Sequence, residues 1–273
     1  MTELFSEDRM DPQRRSSKGN QLKFARDGYW YKTDYLGYEG LAEYVVSKIL
    51  AFSSLRRDEF VDYELEKISW HGRVFPGCRS RDFSDGWQLI TLERLFQQEY
   101  GAGVNQVLQT AENSRERLQM LVNLTERATG LSQAGIYFSK MLTIDAFFLN
   151  EDRHSHNIAF MTDQKREYRF VPFFDQGAGL LSDTAIDYPL DQDVYQMIPI
   201  PRAKTFCADF DEQMDTAEEL YGNQLRFHFS RTDAEKILQE AEDYYSEEVR
   251  TRVLNILMQR KRKYQYLFDS DSE

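Results

Sequence analysis

The chain has 273 residues, of which 41% are hydrophobic and 14% aromatic, enough apolar side chain to build a true core and to exclude general disorder. Its net charge of −12 speaks against a nucleic-acid-binding surface, which would be basic. At about 150 residues per domain the length fits two units sharing a cleft.

Two widely separated cysteines, Cys78 and Cys207, form no CxxC pair, which fits free thiols in a reducing compartment. The polar N-terminus is no secretory signal, although export by a machine that reads no cleaved signal would leave the same sequence. No stretch approaches the roughly 18 apolar residues of a membrane span. A cytoplasmic location is the expectation, with no membrane span and no direct contact with nucleic acid. The basic run "QRKRKYQY" from Gln259 reads as the solvated end of a terminal helix.

In chain order, residues 1–15 are expected to form a mobile arm. The stretch from Gln21 then predicts a hairpin, with Leu22 and Phe24 before Asp27-Gly28 and Tyr29 to Tyr31 after it. Glycine accepts the positive φ that such a turn requires. Leu41, Val45, Ile49 and Phe52 recur at helical spacing and predict a helix packing one face on a sheet. Two more strands are expected around a turn at His71-Gly72, and from Ser80 the texture changes toward helix, placing a lobe boundary near residues 80–95.

Asn113 with Glu116 predicts the capped start of a helix carrying Leu118, Leu121, Val122 and Leu124. "LSQAGIYFSKMLTIDAFFLN" reads as a more buried helix, followed by a strand pair in "HNIAFMTD" and "EYRFVPFFD" joined through Gln164-Lys165. Thr232 with Glu235 is expected to open one long final helix running through Leu238, Ala241, Tyr245, Val249, Val253 and Leu257. Strands first and helices afterwards make an α+β chain rather than a βαβ alternation. The expected division is an N-lobe over 16–90, a helical C-lobe over 91–268 and an acidic tail over 269–273.

The segment "NEDRHSHN" at 150–157 follows directly on the buried helix. Asp152 and Asn157 are five residues apart, and Asp175 follows eighteen residues after Asn157 at the end of the second strand. An aspartate on a loop can orient a hydroxyl nucleophile and accept its proton. An asparagine oxygen and a second carboxylate can share Mg²⁺, which prefers hard oxygen ligands and holds nucleotide phosphates. Phosphoryl transfer asks a protein chiefly for positioning and charge neutralisation, which these side chains supply. The plain alternative is a charged turn, and for Asp175 the start of a solvated loop. Yet an aspartate directly after Val171-Pro172-Phe173-Phe174 sits at the edge of the core, where a carboxylate needs a partner. Two histidines two apart also raise a zinc site, which no nearby cysteine or H-E-x-x-H pattern supports.

"DRHSHN" followed by "FFDQG" resembles the catalytic loop and metal-binding segment of the HipA-like bacterial serine/threonine kinases and their CtkA-type relatives. The loop is also similar to the D-R-H-x-x-N loop of phosphatidylinositol kinases. The resemblance implies a two-lobed, protein-kinase-like fold using ATP and Mg²⁺, with Asp152 as catalytic base, Asn157 and Asp175 as metal ligands, and His154 supporting the transition state. It departs from the protein-kinase pattern in two ways: Gln176 stands where D-F-G has phenylalanine, and Arg153 and His154 follow the aspartate instead of preceding it.

The same resemblance implies a phosphate-holding lysine on a strand, for which Lys32 is the candidate, and a helix glutamate to pair with it, Glu43, with Glu39 one turn earlier as its rival. Most lysines at strand ends simply face solvent, which is the alternative for Lys32. "RSSKGNQLKF" occupies the place of the phosphate-covering loop, with Ser16, Ser17, Gly19 and Asn20 able to present backbone N–H groups, and Ser16 and Ser17 are candidate phosphorylation sites. Adenine would lie against the linker from Cys78 to Trp87.

The implied acceptor is a serine or threonine hydroxyl on a protein, its own chain included, and Asp183, Asp187, Asp191 and Asp193 on the segment after Asp175 would favour basic peptides. The rival readings are a kinase of a small molecule or lipid headgroup on the same fold, and a catalytically silent nucleotide-binding adaptor. Physiological substrate, regulatory partner and oligomeric state are not legible in the sequence.

Overall fold

The computed structural model describes residues 1–10, 21–163 and 165–268. Two tight turns organise its first sheet. Asp27 and Gly28, at φ 51° and 75°, join β2 (Lys23–Arg26) to β3 (Tyr29–Thr33), and His71 and Gly72, at 49° and 74°, join β4 (Tyr63–Trp70) to β5 (Arg73–Arg81). Two consecutive left-handed residues match the right-handed twist of the flanking strands, so these dipeptides set the register. Lys23 stands opposite Lys32, and Trp70 opposite Arg73. The strand order is β1-β4-β5-β3-β2.

The outermost strand, β1 (Thr2–Glu3), runs parallel to β4. Leu4 beside it is buried in a small core with Phe24, Tyr31 and Ile68. Residues 1–10 therefore do not form the mobile arm expected of them; one buried leucine and a strand edge secure them. Ser16, Ser17, Gly19 and Asn20 lie outside the described residues.

Helix α1 (Glu39–Leu50) is buried along nearly its whole length, not on one face alone, because it is wedged between the sheet and the helical part of the chain. Two glycines let it come so close. A Cβ on Gly40 would meet the Cα and carbonyl carbon of Gly77 at 2.6 Å, and a Cβ on Gly77 would lie 2.1 Å from the carbonyl oxygen of Lys32. The helix thus rests backbone against backbone on β5, one turn before Glu43. Phe52 falls beyond the helix end and is exposed.

The larger part begins with β6 (Gln88–Thr91), α2 (Leu92–Tyr100) and α3 (Val104–Leu108). Asn113 accepts from the Glu116 N–H at 2.9 Å and caps α4 (Ser114–Thr129) as expected. In α5 (Ala134–Phe148) only Ile136 and Lys140 escape burial, so this helix is the spine of the core. The expected strand pair is present as β7 (Ala159–Thr162) and β8 (Tyr168–Phe170), with Gln164 between them outside the described residues. It is extended by β6, which pairs antiparallel with β7. Four residues are too few to show a strand period, and Thr91 at once caps α2 by accepting from the Arg94 N–H, which is why this strand reads as helix approach.

Short α6 (Val194–Met197) and α7 (Phe210–Tyr221) precede the C-terminal pair. The single long final helix is instead two, α8 (Arg231–Gln239) and α9 (Glu247–Lys263). Ser230 and Asp233 form the capping box of α8 where Thr232 and Glu235 were expected, and Ser246 caps α9 by accepting from Val249. Ala241 and Tyr245 between them are buried, as the helical spacing implied, but the chain there leaves the helix before Ser246 starts the next one.

Because the atoms opposing Gly40 are backbone, they cannot rotate away. Gly40→Ala is expected to destabilise the fold by roughly 1–3 kcal/mol, as overpacking does. The fall in urea midpoint measures it, and an unchanged midpoint would mean α1 can lift off β5 freely.

Candidate active site

The loop after α5 starts with strain. Leu149 takes the left-handed conformation at φ 57°, where a branched side chain is held only by its surroundings, and it is buried. The chain turns back so that Asn150 N–H donates to the Asp145 carbonyl at 2.9 Å. Asp145, itself buried, then receives Arg153 Nε at 3.0 and 3.2 Å and Asn150 Nδ2 at 3.0 Å. Arg153 spends its remaining N–H groups on the carbonyls of Asn157 and Phe174, both at 3.0 Å, and on that of Asp175 at 3.4 Å. Burial alone would lower the Arg153 pKa, but the adjoining Asp145 carboxylate outweighs it and the guanidinium stays charged. One buried ion pair therefore binds the 150–157 loop to the 174–176 segment.

Asn150 and Glu151 are not solvated loop residues. Asn150 is 1% exposed and also donates to Gln176 Oε1 at 3.0 Å, while Glu151 accepts from the Tyr188 hydroxyl at 2.7 Å. The Gln176 side chain, at the position of the expected phenylalanine, thus serves as a polar anchor. His156 is exposed.

Asp152, Asn157 and Asp175 line one cleft, together with Gln21, Glu39, Gly177, Ser182 and Asp183. Asn157 Nδ2 donates to the Asp152 carbonyl at 2.8 Å and to its Oδ2 at 2.9 Å, so the oxygen of the amide is what Asn157 has to offer a cation. His154 Nε2 lies 3.6 Å from Asp152 Oδ1. Burial lowers the His154 pKa, against the pull of Asp152, and favours the neutral ring near pH 7. Of the four acids expected to line an acceptor cleft, Asp183 is buried and accepts from Ile186 N–H at 3.0 Å, Asp193 caps α6, and Asp187 and Asp191 are exposed.

On the opposite wall Lys32 Nζ bridges two carboxylates, Glu43 Oε1 at 2.5 Å and Asp175 Oδ1 at 2.6 Å. Glu43 is 1% exposed, and its other oxygen accepts from the Gln176 N–H at 2.7 Å. The rival Glu39 lines the cleft but does not pair with Lys32, its carboxylate accepting from the backbone N–H groups of Tyr35, Leu36 and Gly37. Lys23 Nζ, across the hairpin, stands 4.0 Å from Asp175 Oδ1. Burial pushes the Asp175 carboxyl up, but Lys23, Lys32 and Arg153 together outweigh it and hold the group well below the usual carboxylate range. Burial opposes the charge on Lys32 as well, and Asp175 and Glu43 prevail, keeping it protonated. Asp175 is itself left-handed, at φ 61°, a second strained residue at the cleft.

Cys78 belongs to β5, opposite Lys32, and its thiol is buried with its pKa raised by that burial; it is not part of the linker expected to meet adenine. The connection between β5 and β6 is residues 82–87, where Phe83 packs on Phe174 at 5.4 Å.

No three histidine, cysteine, aspartate or glutamate side chains converge on a metal position among the described residues. Asp175 and the Asn157 amide present hard oxygens without sulfur or imidazole between them, a donor set that fits Mg²⁺ completed by phosphate oxygens and water.

Arg153, Asn150 and Lys23 belong to this site but were not singled out from the sequence. Lys23 carried a signal, since a two-residue turn at Asp27-Gly28 places it opposite Lys32.

No protein-family model matches the chain, and no curated protein matches it. Among solved structures it is similar to the Helicobacter pylori proinflammatory kinase CtkA, with a TM-score of 0.57 at 16% identity, covering 91% of this chain and 89% of that one. The fold is kinase-like. The curled five-stranded sheet with its helix is the N-lobe, and the helical remainder corresponds to the C-lobe. A looser likeness, TM-score 0.49 at 13% identity, is to HipA of the Shewanella oneidensis MR-1 toxin–antitoxin system, in a complex with HipB and operator DNA; it covers 90% of this chain and 61% of that one. No helix among the described residues is long and apolar enough to cross a membrane.

The buried pair gives a direct expectation. Arg153→Met leaves Asp145 without its cation in the core and is expected to destabilise by about 3–5 kcal/mol in urea unfolding. Adding Asp145→Leu should recover much of that loss, and no recovery would mean that the guanidinium's bonds to the carbonyls dominate.

Proposed function

We propose that the chain is an ATP- and Mg²⁺-dependent phosphotransferase that delivers the γ-phosphoryl group to a serine or threonine hydroxyl of a protein, its own chain included. The observation that carries this reading is the meeting of Asp152, Asn157 and Asp175 in one cleft, with Asp175 held by Lys32, which Glu43 binds in turn. A structural ion pair needs two partners; this cleft assembles a protonated lysine, a carboxylate held ionised and a loop aspartate within one space, as phosphoryl transfer requires.

In the proposed reaction, triphosphate oxygens displace Asp175 from Lys32 Nζ while Glu43 keeps the lysine in place. Lys23 adds a second cation on the same side. Asp175 and the Asn157 oxygen would hold Mg²⁺, which would neutralise phosphate charge. Asp152 accepts the proton of the acceptor hydroxyl as its oxygen attacks the γ-phosphorus, and neutral His154 beside it donates a hydrogen bond.

A polypeptide acceptor is supported by the segment after Asp175. Exposed Ile186, Tyr195 and Ile200 stand there with exposed Asp187 and Asp191, an apolar and acidic surface suited to a basic peptide and repulsive to an anionic headgroup.

Incubation with γ-labelled ATP and Mg²⁺ is expected to label the protein itself or a generic basic peptide, and EDTA should stop it. Label passing only to a metabolite or lipid headgroup would overturn the protein acceptor. Asp152→Asn is expected to lower the rate by about 10²–10⁴-fold, and Asp175→Asn to lower it comparably with loss of Mg²⁺-dependent nucleotide binding. Glu43→Gln should weaken nucleotide binding while Glu39→Gln spares it; the reverse order would reassign the lysine's partner.

A further inference from the structure

Between Asp152 and Asn157 the loop "DRHSHN" has no cation for the transferred phosphoryl group. Arg153, the loop's one arginine or lysine, is turned inward onto Asp145 at 3.0 Å and is 4% exposed. Lys32 and Lys23 stand at Asp175, on the other wall. A cation reaches the base from a distant segment instead: Lys204 Nζ lies 3.6 Å from Asp152 Oδ1. Its neighbours hold the segment there. Thr205 donates its hydroxyl to the Arg153 carbonyl at 2.9 Å, Arg117 donates to the Phe206 carbonyl at 3.2 Å, and Ala203, Thr205 and Phe206 are buried while the Lys204 side chain is 44% exposed. Inward anchors on both sides of an outward lysine fix its root and leave its ammonium at the cleft.

We propose that Lys204 is a catalytic residue that holds the γ-phosphoryl oxygens during transfer, a role resting on the phosphotransferase reading above. The acceptor oxygen whose proton goes to Asp152 forms its new bond to the γ-phosphorus beside that carboxylate. The bond from the γ-phosphorus to the β–γ bridging oxygen breaks, and its electron pair leaves with the nucleoside diphosphate. Lys204 stays protonated throughout, moving from Asp152 Oδ1 to the phosphoryl oxygens as negative charge spreads over them. Such a contact strengthens in the transition state, so its loss should appear in turnover and spare nucleotide binding.

The test uses the full chain, with wild type and Asp152→Asn as references. Lys204→Met is expected to lower kcat by about 10²-fold, with the KM for ATP, the affinity for a non-hydrolysable ATP analogue and the melting temperature all within error of wild type. Lys204→Arg, which keeps the charge, should recover a large part of the rate. Unchanged or increased turnover in Lys204→Met would overturn the proposal and leave Lys204 a surface partner that screens or restrains Asp152. A rate loss matched by weaker analogue binding or a lower melting temperature would overturn it too, as a nucleotide-holding or structural role. If wild type transfers no phosphoryl group to any acceptor, the phosphotransferase reading fails first and this role falls with it, a result distinct from an active wild type with an active Lys204→Met.

Discussion

The Arg153–Asp145 ion pair is the interaction on which the rest of the site depends. A charged guanidinium with almost no access to water is stable only where its nitrogens find acceptors, and here each does, on one carboxylate and three backbone carbonyls. Those carbonyls belong to the two segments carrying the cleft's acids. The demand for satisfaction therefore sets the spacing between Asp152, Asn157 and Asp175, which a solvated loop would leave to chance. Leu149 and Asp175 keep their left-handed backbones at the two ends of this network, where surrounding contacts outweigh the local cost.

The upper wall obeys a different constraint, close approach. Gly40 and Gly77 remove the side chains that would hold α1 away from β5. Glu43 consequently reaches Lys32 from inside the core, where its second oxygen is satisfied by the Gln176 backbone. The charges alternate across the cleft, Glu43, Lys32, Asp175, Lys23, so each buried ion has a neighbour of opposite sign. The cleft's own charged groups thus satisfy one another.

Much of the cleft was legible because local rules specify it. The Asp27-Gly28 turn implies the hairpin and, with it, the Lys23–Lys32 pair; the mostly apolar sequence before Asn150 implies a buried helix ending at a polar loop; the order Asp152, Asn157, Asp175 suggests the proposed chemistry. The choice of Glu43 over Glu39 was not legible. Both share a helical face, and only the loop at residues 35–37, whose N–H groups take up the Glu39 carboxylate, separates them. The burial of Asn150 was not legible for a similar reason, since burial is a property of what packs above a residue.

By itself the sequence determined the turns, the buried helix, the α+β order and the spacing of the acids, because each follows from φ preferences or periodicity within a few residues. The tertiary structure alone decided that β6 would be a strand, since its pairing partner lies seventy residues away at Ala159 to Thr162. It also decided that the last helix would be interrupted between Gln239 and Glu247, and that Leu4 would tie the N-terminus to the sheet. Above all it brought Lys204 to Asp152. Nothing in the neighbourhood of a lysine records which distant carboxylate it will meet, because that meeting is made by the packing of the segments that carry them.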